Sequence, residues 1–296
     1  MNPTADAMPI AAKPAPSSAK ISSAQIYLWS LRRELWENRY LYVAPLAVGA
    51  LAVVGFAVGQ LWHNPGQTMS EQPYTFASLL LMLTGILAGM FYSVDALYGE
   101  RRDRSVLFWK SLPVSDLTTV LAKASIPIIL VPLVTWIISV ATMSAMLLLA
   151  SLRLMGTGMS AWSHLAFGSM CWILLYHLVI GHGLWYAPIW GWLLLCSAWS
   201  RRAPYLYATL PLLAVGLIEK IGFGTAYFGH WLAYRLGADP GGMPAAAPKK
   251  AGEMTMAAMT PRLSDFLTGT GLWTGLALCA VFVTLAIRLR GRGAPV

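Results

Sequence analysis

Six stretches of this chain are apolar and long enough to cross a lipid bilayer, and they leave little polypeptide for anything else. A membrane helix needs about 20 mostly apolar residues to span a hydrocarbon core about 30 Å thick. The pattern places such segments at residues 40–61, 75–98, 117–150, 166–199, 203–219 and 267–289 of the 296. The third and fourth are too long for a perpendicular crossing. Both carry prolines (Pro127 and Pro132 in one, Pro188 in the other) that remove a helical hydrogen bond and bend the rod. The boundary between the fourth and fifth rests on Ser200-Arg201-Arg202, because two arginines are costly at the bilayer centre. Composition agrees, with 57% hydrophobic and 11% charged residues where a soluble domain carries about 45–50% and about 25%. The fold class expected is therefore all-α, a polytopic membrane protein with six transmembrane helices.

Orientation follows from the placement of Lys and Arg. The first 39 residues hold five, residues 99–123 hold Arg101, Arg102, Arg104, Lys110 and Lys123, the turn at 200–202 holds two, and the C-terminus holds Arg288, Arg290 and Arg292. The other side receives Arg153 and five spread over residues 219–266. Both termini, including the 290–296 tail, are expected in the cytoplasm. The net charge of +9 is dispersed between apolar runs rather than clustered on one solvated face, so no nucleic-acid partner is expected. Residues 1–20 are rich in Ala, Pro and Ser with no apolar block, which predicts a disordered tail rather than a cleavable signal peptide. In 21–39, Ser22 and Gln25 have capping-box spacing, and Ala24, Leu28, Leu31 and Leu35 recur at helical spacing. Ser30, Arg32, Arg33 and Glu37 occupy other faces, and Tyr27, Trp29 and Trp36 suit headgroup depth. This predicts either an amphipathic helix lying in the lipid interface or an extension of the first span. Glycine pairs four residues apart, Gly55/Gly59, Gly85/Gly89 and Gly271/Gly275, permit close helix approach.

Motifs of catalysis are missing. No lysine follows a glycine, so a P-loop cannot exist, and GxGxxG, HExxH and GxSxG are absent. Neither a catalytic group nor a cofactor or metal is expected in this chain. Cys171, Cys196 and Cys279 lie inside apolar runs without metal-ligand spacing. His177 and His182 are five residues apart, about 140° around an α-helix, which argues against a shared metal and for separate hydrogen bonds across helices. Outside the spans, Met254, Met256 and Met259 stand close together; they fit an apolar face of a short outer helix, with Cu(I) ligation as the alternative. Ionisable groups in or beside spans usually have a partner or a wet cavity. Glu219 is either partnered or solvated beside Lys220. Asp95, near the end of the second span, is expected to pair with Lys123 near the start of the third, or else both are separate interfacial charges.

The segment 99–116 between those spans is the most distinctive. Glu100 and Arg104 have i,i+4 spacing, and Leu107, Phe108, Trp109 and Leu112 form a bulky apolar patch before Pro113. Pro113 disfavours helix at Leu112, and Ser115 or Asp116 can cap the third span. A short amphipathic helix and a sharp turn result, with aromatics that need headgroups or another protein to bury them. The run ALYGERRDRSVLFWKSLPVSD resembles the segment between the second and third spans of ABC-2 type permeases, the membrane subunits of ATP-driven exporters. The six spans, the interfacial N-terminal helix, the cytoplasmic termini and the outer loop 220–266 resemble that family's architecture. The resemblance implies that Glu100, Arg101, Arg104, Phe108, Trp109, Leu112 and Pro113 form a coupling helix docking on a separate ATPase subunit that binds ATP and Mg. It further implies a translocation pathway formed with a second copy or a paralogue. It implies nothing about the substrate. A secondary transporter would need inverted repeats and several midplane charges. A membrane anchor for a multiprotein complex is the alternative from another class.

Overall fold

The computed structural model describes residues 22–62, 70–103, 114–155, 162, 167–236 and 263–292. Among them there is no strand, and six helices are long and apolar enough to cross a membrane, so the protein is an all-α, multi-pass membrane protein. Span 1 is Tyr40–Trp62, span 2 Gln72–Arg102, span 3 Asp116–Arg153, span 5 Pro204–Phe223 and span 6 Thr270–Arg292. Span 4 runs from Phe167 to Trp185 and resumes as the shorter helix Ala187–Trp199. The 1–20 tail, Arg104, Phe108, Trp109, Leu112, Pro113 and the methionines 254, 256 and 259 lie outside the described residues.

The two long spans interrupt their α-helix at or beside the expected prolines. Span 3 is α-helical over Asp116–Ser125, widens to a π-helix over Ile126–Leu130 and returns to α-helix over Val131–Arg153. Pro127 and Pro132 sit at the first turns of the second and third pieces. They withhold the amides an α-helix would use there, so the ladder reopens with a longer step. Span 4 is α-helical over Phe167–Leu175, π-helical over Tyr176–Trp185, and breaks at Tyr186, with Pro188 in the first turn of the helix beyond the break. The π stretch corrects the expected geometry of His177 and His182. Where hydrogen bonds reach from i to i+5, residues five apart are one hydrogen-bonded turn apart, as i and i+4 are in an α-helix, instead of lying about 140° apart. His177 bonds the carbonyl of Ile173 on its own helix at 2.9 Å, not another helix. No group of three metal-ligating side chains occurs among the described residues.

The second half of span 4 is the centre of the bundle. Trp190, Leu194 and Cys196 on it are buried, and Gly191 lies so close to span 6 that a Cβ there would sit 3.2 Å from the Cys279 Cα. One core joins Leu97, Val120, Leu194, Cys279 and Val283 from spans 2, 3, 4 and 6. A second joins Phe56, Tyr74, Met143, Leu147 and Leu174 from spans 1 to 4. Of the three glycine pairs, Gly85/Gly89 and Gly271/Gly275 face other helices closely, whereas a Cβ on Gly55 would meet nothing. Spans 2 and 3 each bury half of their most apolar stretch, and span 5 buries 6% of its own.

Ahead of span 1, the helix Ser23–Glu37 begins with a capping box in which the Ser22 side chain accepts from the Gln25 amide and the Gln25 side chain accepts from the Ser22 amide, both at 3.2 Å. Leu31 and Leu35 pack against Leu41, Ala88 and Tyr92, while Leu28, Trp29 and Trp36 are exposed. The face turned inward is therefore not the full leucine row, and it carries an acid. Glu34 is 1% exposed.

Candidate functional site: a buried ionic cluster at the basic end

Four segments converge on Glu34: the N-terminal helix, the end of span 2, the start of span 3 and the end of span 6. A carboxylate buried this deeply persists only with cations and donors around it, and Glu34 has three. The Lys123 ammonium donates to its Oε1 at 2.8 Å, Arg33 to the same oxygen at 2.5 Å, and the Tyr92 hydroxyl to its Oε2 at 2.8 Å. Lys123, with 3% of its side chain exposed, also lies 3.2 Å from Glu100 Oε1. Glu100 is the hub: Arg33 approaches its Oε1 at 3.5 Å and Arg290 donates to its Oε2. Arg290 in turn donates from Nε to Asp116 Oδ1 at 3.0 Å. Three cations (Arg33, Lys123, Arg290) thus meet three carboxylates (Glu34, Glu100, Asp116), with the exposed Glu37 at the edge, 3.6 Å from Arg33 Nε.

This arrangement corrects the expected Asp95–Lys123 pair. Asp95 and Lys123 do flank the same turn, but the N-terminal helix inserts Glu34 at the depth of Lys123. Asp95 points along its own helix instead, where a Cβ on Gly99 would lie 3.2 Å from its Oδ2. Asp95 has no ion-pair partner among the described residues. Burial alone pushes the Glu34 carboxyl up, but Lys123 and Arg33 together outweigh it and hold the group below its ordinary 4.5. Glu37, half exposed beside Glu34 and Glu100, is pushed up, first by burial.

Arg101 has a different role from Glu100, although the two are adjacent. Its guanidinium turns into the bundle and donates to the carbonyls of Ser197 (2.5 Å) and Ser200 (2.8 Å), acceptors orphaned where span 4 ends. The Ser197 hydroxyl meanwhile accepts from the amides of Leu97 and Tyr98, each at 2.9 Å. The turn is thereby bolted to span 4 as well. Ser115, of the two expected caps, closes span 3, accepting from the Thr118 amide at 3.1 Å, which leaves Asp116 free for Arg290.

At the opposite end of the bundle, Glu219 is partnered rather than merely solvated. It accepts from the Thr225 hydroxyl (3.0 Å) and the amides of Tyr227 (2.5 Å) and Phe228 (2.8 Å), capping the helix Tyr227–Arg235. Arg235, at that helix's other end and 1% exposed, stacks on the Trp185 ring at 4.4 Å. It donates to the carbonyls of Trp185 and Gly271, filling the acceptor left open where span 4 breaks.

Arg33, Glu34, Tyr92, Asp116 and Arg290 in the cluster, and Arg235 at the other end, are the residues that sequence reasoning missed. Two left a signal. Glu34 falls three residues after Leu31 and one before Leu35, on the packed stripe. The buried stripe of span 6, Leu272, Gly275, Cys279, Val283 and Ala286, steps directly onto Arg290. A charge on a buried stripe calls for an opposite one nearby. No protein-family model, no curated protein and no solved structure matches the chain.

Proposed function

We propose that this chain is the membrane-spanning permease subunit of an ATP-driven ABC exporter of the ABC-2 type. In this reading it sits in a bacterial inner membrane with both termini and the 99–116 turn in the cytoplasm. It pairs with a second copy or a paralogue and takes its energy from a separate ATPase subunit carrying ATP and Mg. The observation that carries the reading is the ionic cluster: Glu100, at the root of the aromatic turn, is tied at once to the N-terminal helix, span 3 and span 6. A push on such a turn moves four membrane elements together, which is what a coupling helix requires. The cluster's position beside the strongest accumulation of Lys and Arg supports a cytoplasmic placement. The weakly packed span 5 supplies an apolar face for a second subunit.

Two experiments test this. External labelling of single cysteines, in a background lacking the native three, is expected to modify positions near Gly66 and Gly242 and to spare Ser105→Cys. Labelling of Ser105→Cys in intact cells would falsify the topology. For coupling, large aromatics at the centre of an interface commonly contribute 2 kcal/mol or more, so Phe108→Ala with Trp109→Ala is expected to weaken ATPase binding by about 30-fold or more. Co-purification from membranes reads this, with membrane insertion unchanged. A double variant that holds the ATPase as tightly as wild type overturns the coupling assignment. If no P-loop protein accompanies even the wild type, the chain is instead a membrane anchor or scaffold of a multiprotein complex.

A further inference from the structure

The π-helical segments of spans 3 and 4 meet each other inside the bundle. A Cβ on Gly183 would collide with the Ile128 carbonyl oxygen, so only glycine admits this approach of two backbones. Pro132 has no amide to offer that carbonyl from four residues on, so an α-helical bond to it is excluded. Beside the contact is a half-enclosed void of ≈ 10 Å³, about what one water needs. Gly85 and Ile86 of span 2, Pro132 and Thr135 of span 3, and His182 and Trp190 of span 4 line it.

Two polar side chains line this void, Thr135 and His182. Ser78, Ser93, Thr142, Ser144 and Ser151 each donate to the carbonyl four residues back on their own helix, as a hydroxyl does when no better partner exists. Thr135, 0% exposed, does not; like the Ser139 hydroxyl farther along the same span, its Oγ1 is buried without a hydrogen-bond partner. It points instead at span 2, where a Cβ on Gly85 would stand 2.6 Å away. His182 is 8% exposed. Its carbonyl accepts from Trp190 Nε1 at 2.9 Å and its ring stacks on Tyr186 at 5.7 Å, but the ring makes no hydrogen bond among the described residues. A buried hydroxyl without a partner calls for one, and a void of water size that it shares with an imidazole offers an ordered water a place.

We propose that this void is a hydration site in the membrane-spanning core, holding one water molecule between the Thr135 hydroxyl and the His182 ring where the two π segments meet. A bridging water satisfies both groups nearly as well as a direct bond between the helices would. The inference does not depend on the proposed transport activity.

The sign of one stability change tests it. In a hydrated site Thr135→Val strips a partner from the water, and the melting temperature in detergent is expected to fall by about 2–4 °C, with Thr135→Ser close to wild type. In a dry site the same change removes an orphaned hydroxyl, and the melting temperature rises or stays constant, which overturns the proposal. X-ray radiolytic hydroxyl labelling, which marks side chains next to bound water, supplies a readout on the unaltered protein. Trp190, 2% exposed, is expected to be labelled in wild type and several-fold less in Thr135→Val. Absence of label on Trp190 in wild type overturns the site independently of any variant's folding.

Discussion

Replacing Lys123 by Met is expected to destabilise the protein by about 3–5 kcal/mol, the cost of stripping one partner from a desolvated ion pair. Lys123 stands within 3.2 Å of both Glu34 and Glu100, and no solvent reaches the gap to screen what is left. Thermal unfolding in detergent micelles measures the loss. A cycle with Glu34→Gln should give a coupling of about 1–3 kcal/mol, since residues in one network do not add. A cycle with Asp95→Asn should be additive within about 0.5 kcal/mol. Coupling to Asp95 larger than coupling to Glu34 would return the pair to the one that proximity along the chain suggests. Because the folded Glu34 carboxyl lies below its ordinary 4.5, its contribution is fully present above that pH and is lost as pH falls through the folded value. Wild type should therefore lose stability on acidification below about pH 4.5, and Glu34→Gln should lose less over the same range.

What the sequence discloses and what it conceals divide along a physical line. Span number depends on length and hydropathy summed over some twenty residues, a local quantity, and Ser22 with Gln25 is a local cap; both can be read directly. Partner choice is not local. Asp95 and Lys123 are equally near the turn, and which acid reaches the lysine depends on the N-terminal helix folding back, 89 residues away in sequence from Lys123. The π segments lie between these cases. Pro127, Pro132 and Pro188 announce a disturbed ladder, but a missing amide does not say by what step the ladder reopens. Glu34 and Arg290 could have been found by asking, of every buried stripe, whether a charge interrupts it.

Glu100→Ala is expected to be the most damaging single change at the cluster, about 3–5 kcal/mol, because it leaves Arg33, Lys123 and Arg290 facing one another with one fewer anion among them. Its 9% exposed side chain gives the cations little water in exchange. Arg290→Met in the same background should recover part of the loss, as removing both partners costs less than orphaning one. Glu100→Gln keeps the shape and removes the charge, which makes it the sharper probe of the proposed coupling. Phe108 and Trp109 remain in place in that variant, so ATPase binding should persist. What should fail is delivery of the motion, since the turn is no longer tied electrostatically to spans 3 and 6. A spin label at Leu117, which is 53% exposed, would report it: in a pair of wild-type subunits with the ATPase bound, vanadate trapping should shift the label-to-label distance, and in Glu100→Gln the shift should shrink or vanish. A full shift with the cluster discharged would mean that the ionic hub stabilises the fold without transmitting movement, and the mechanical role would then pass to the Arg101 anchor on span 4.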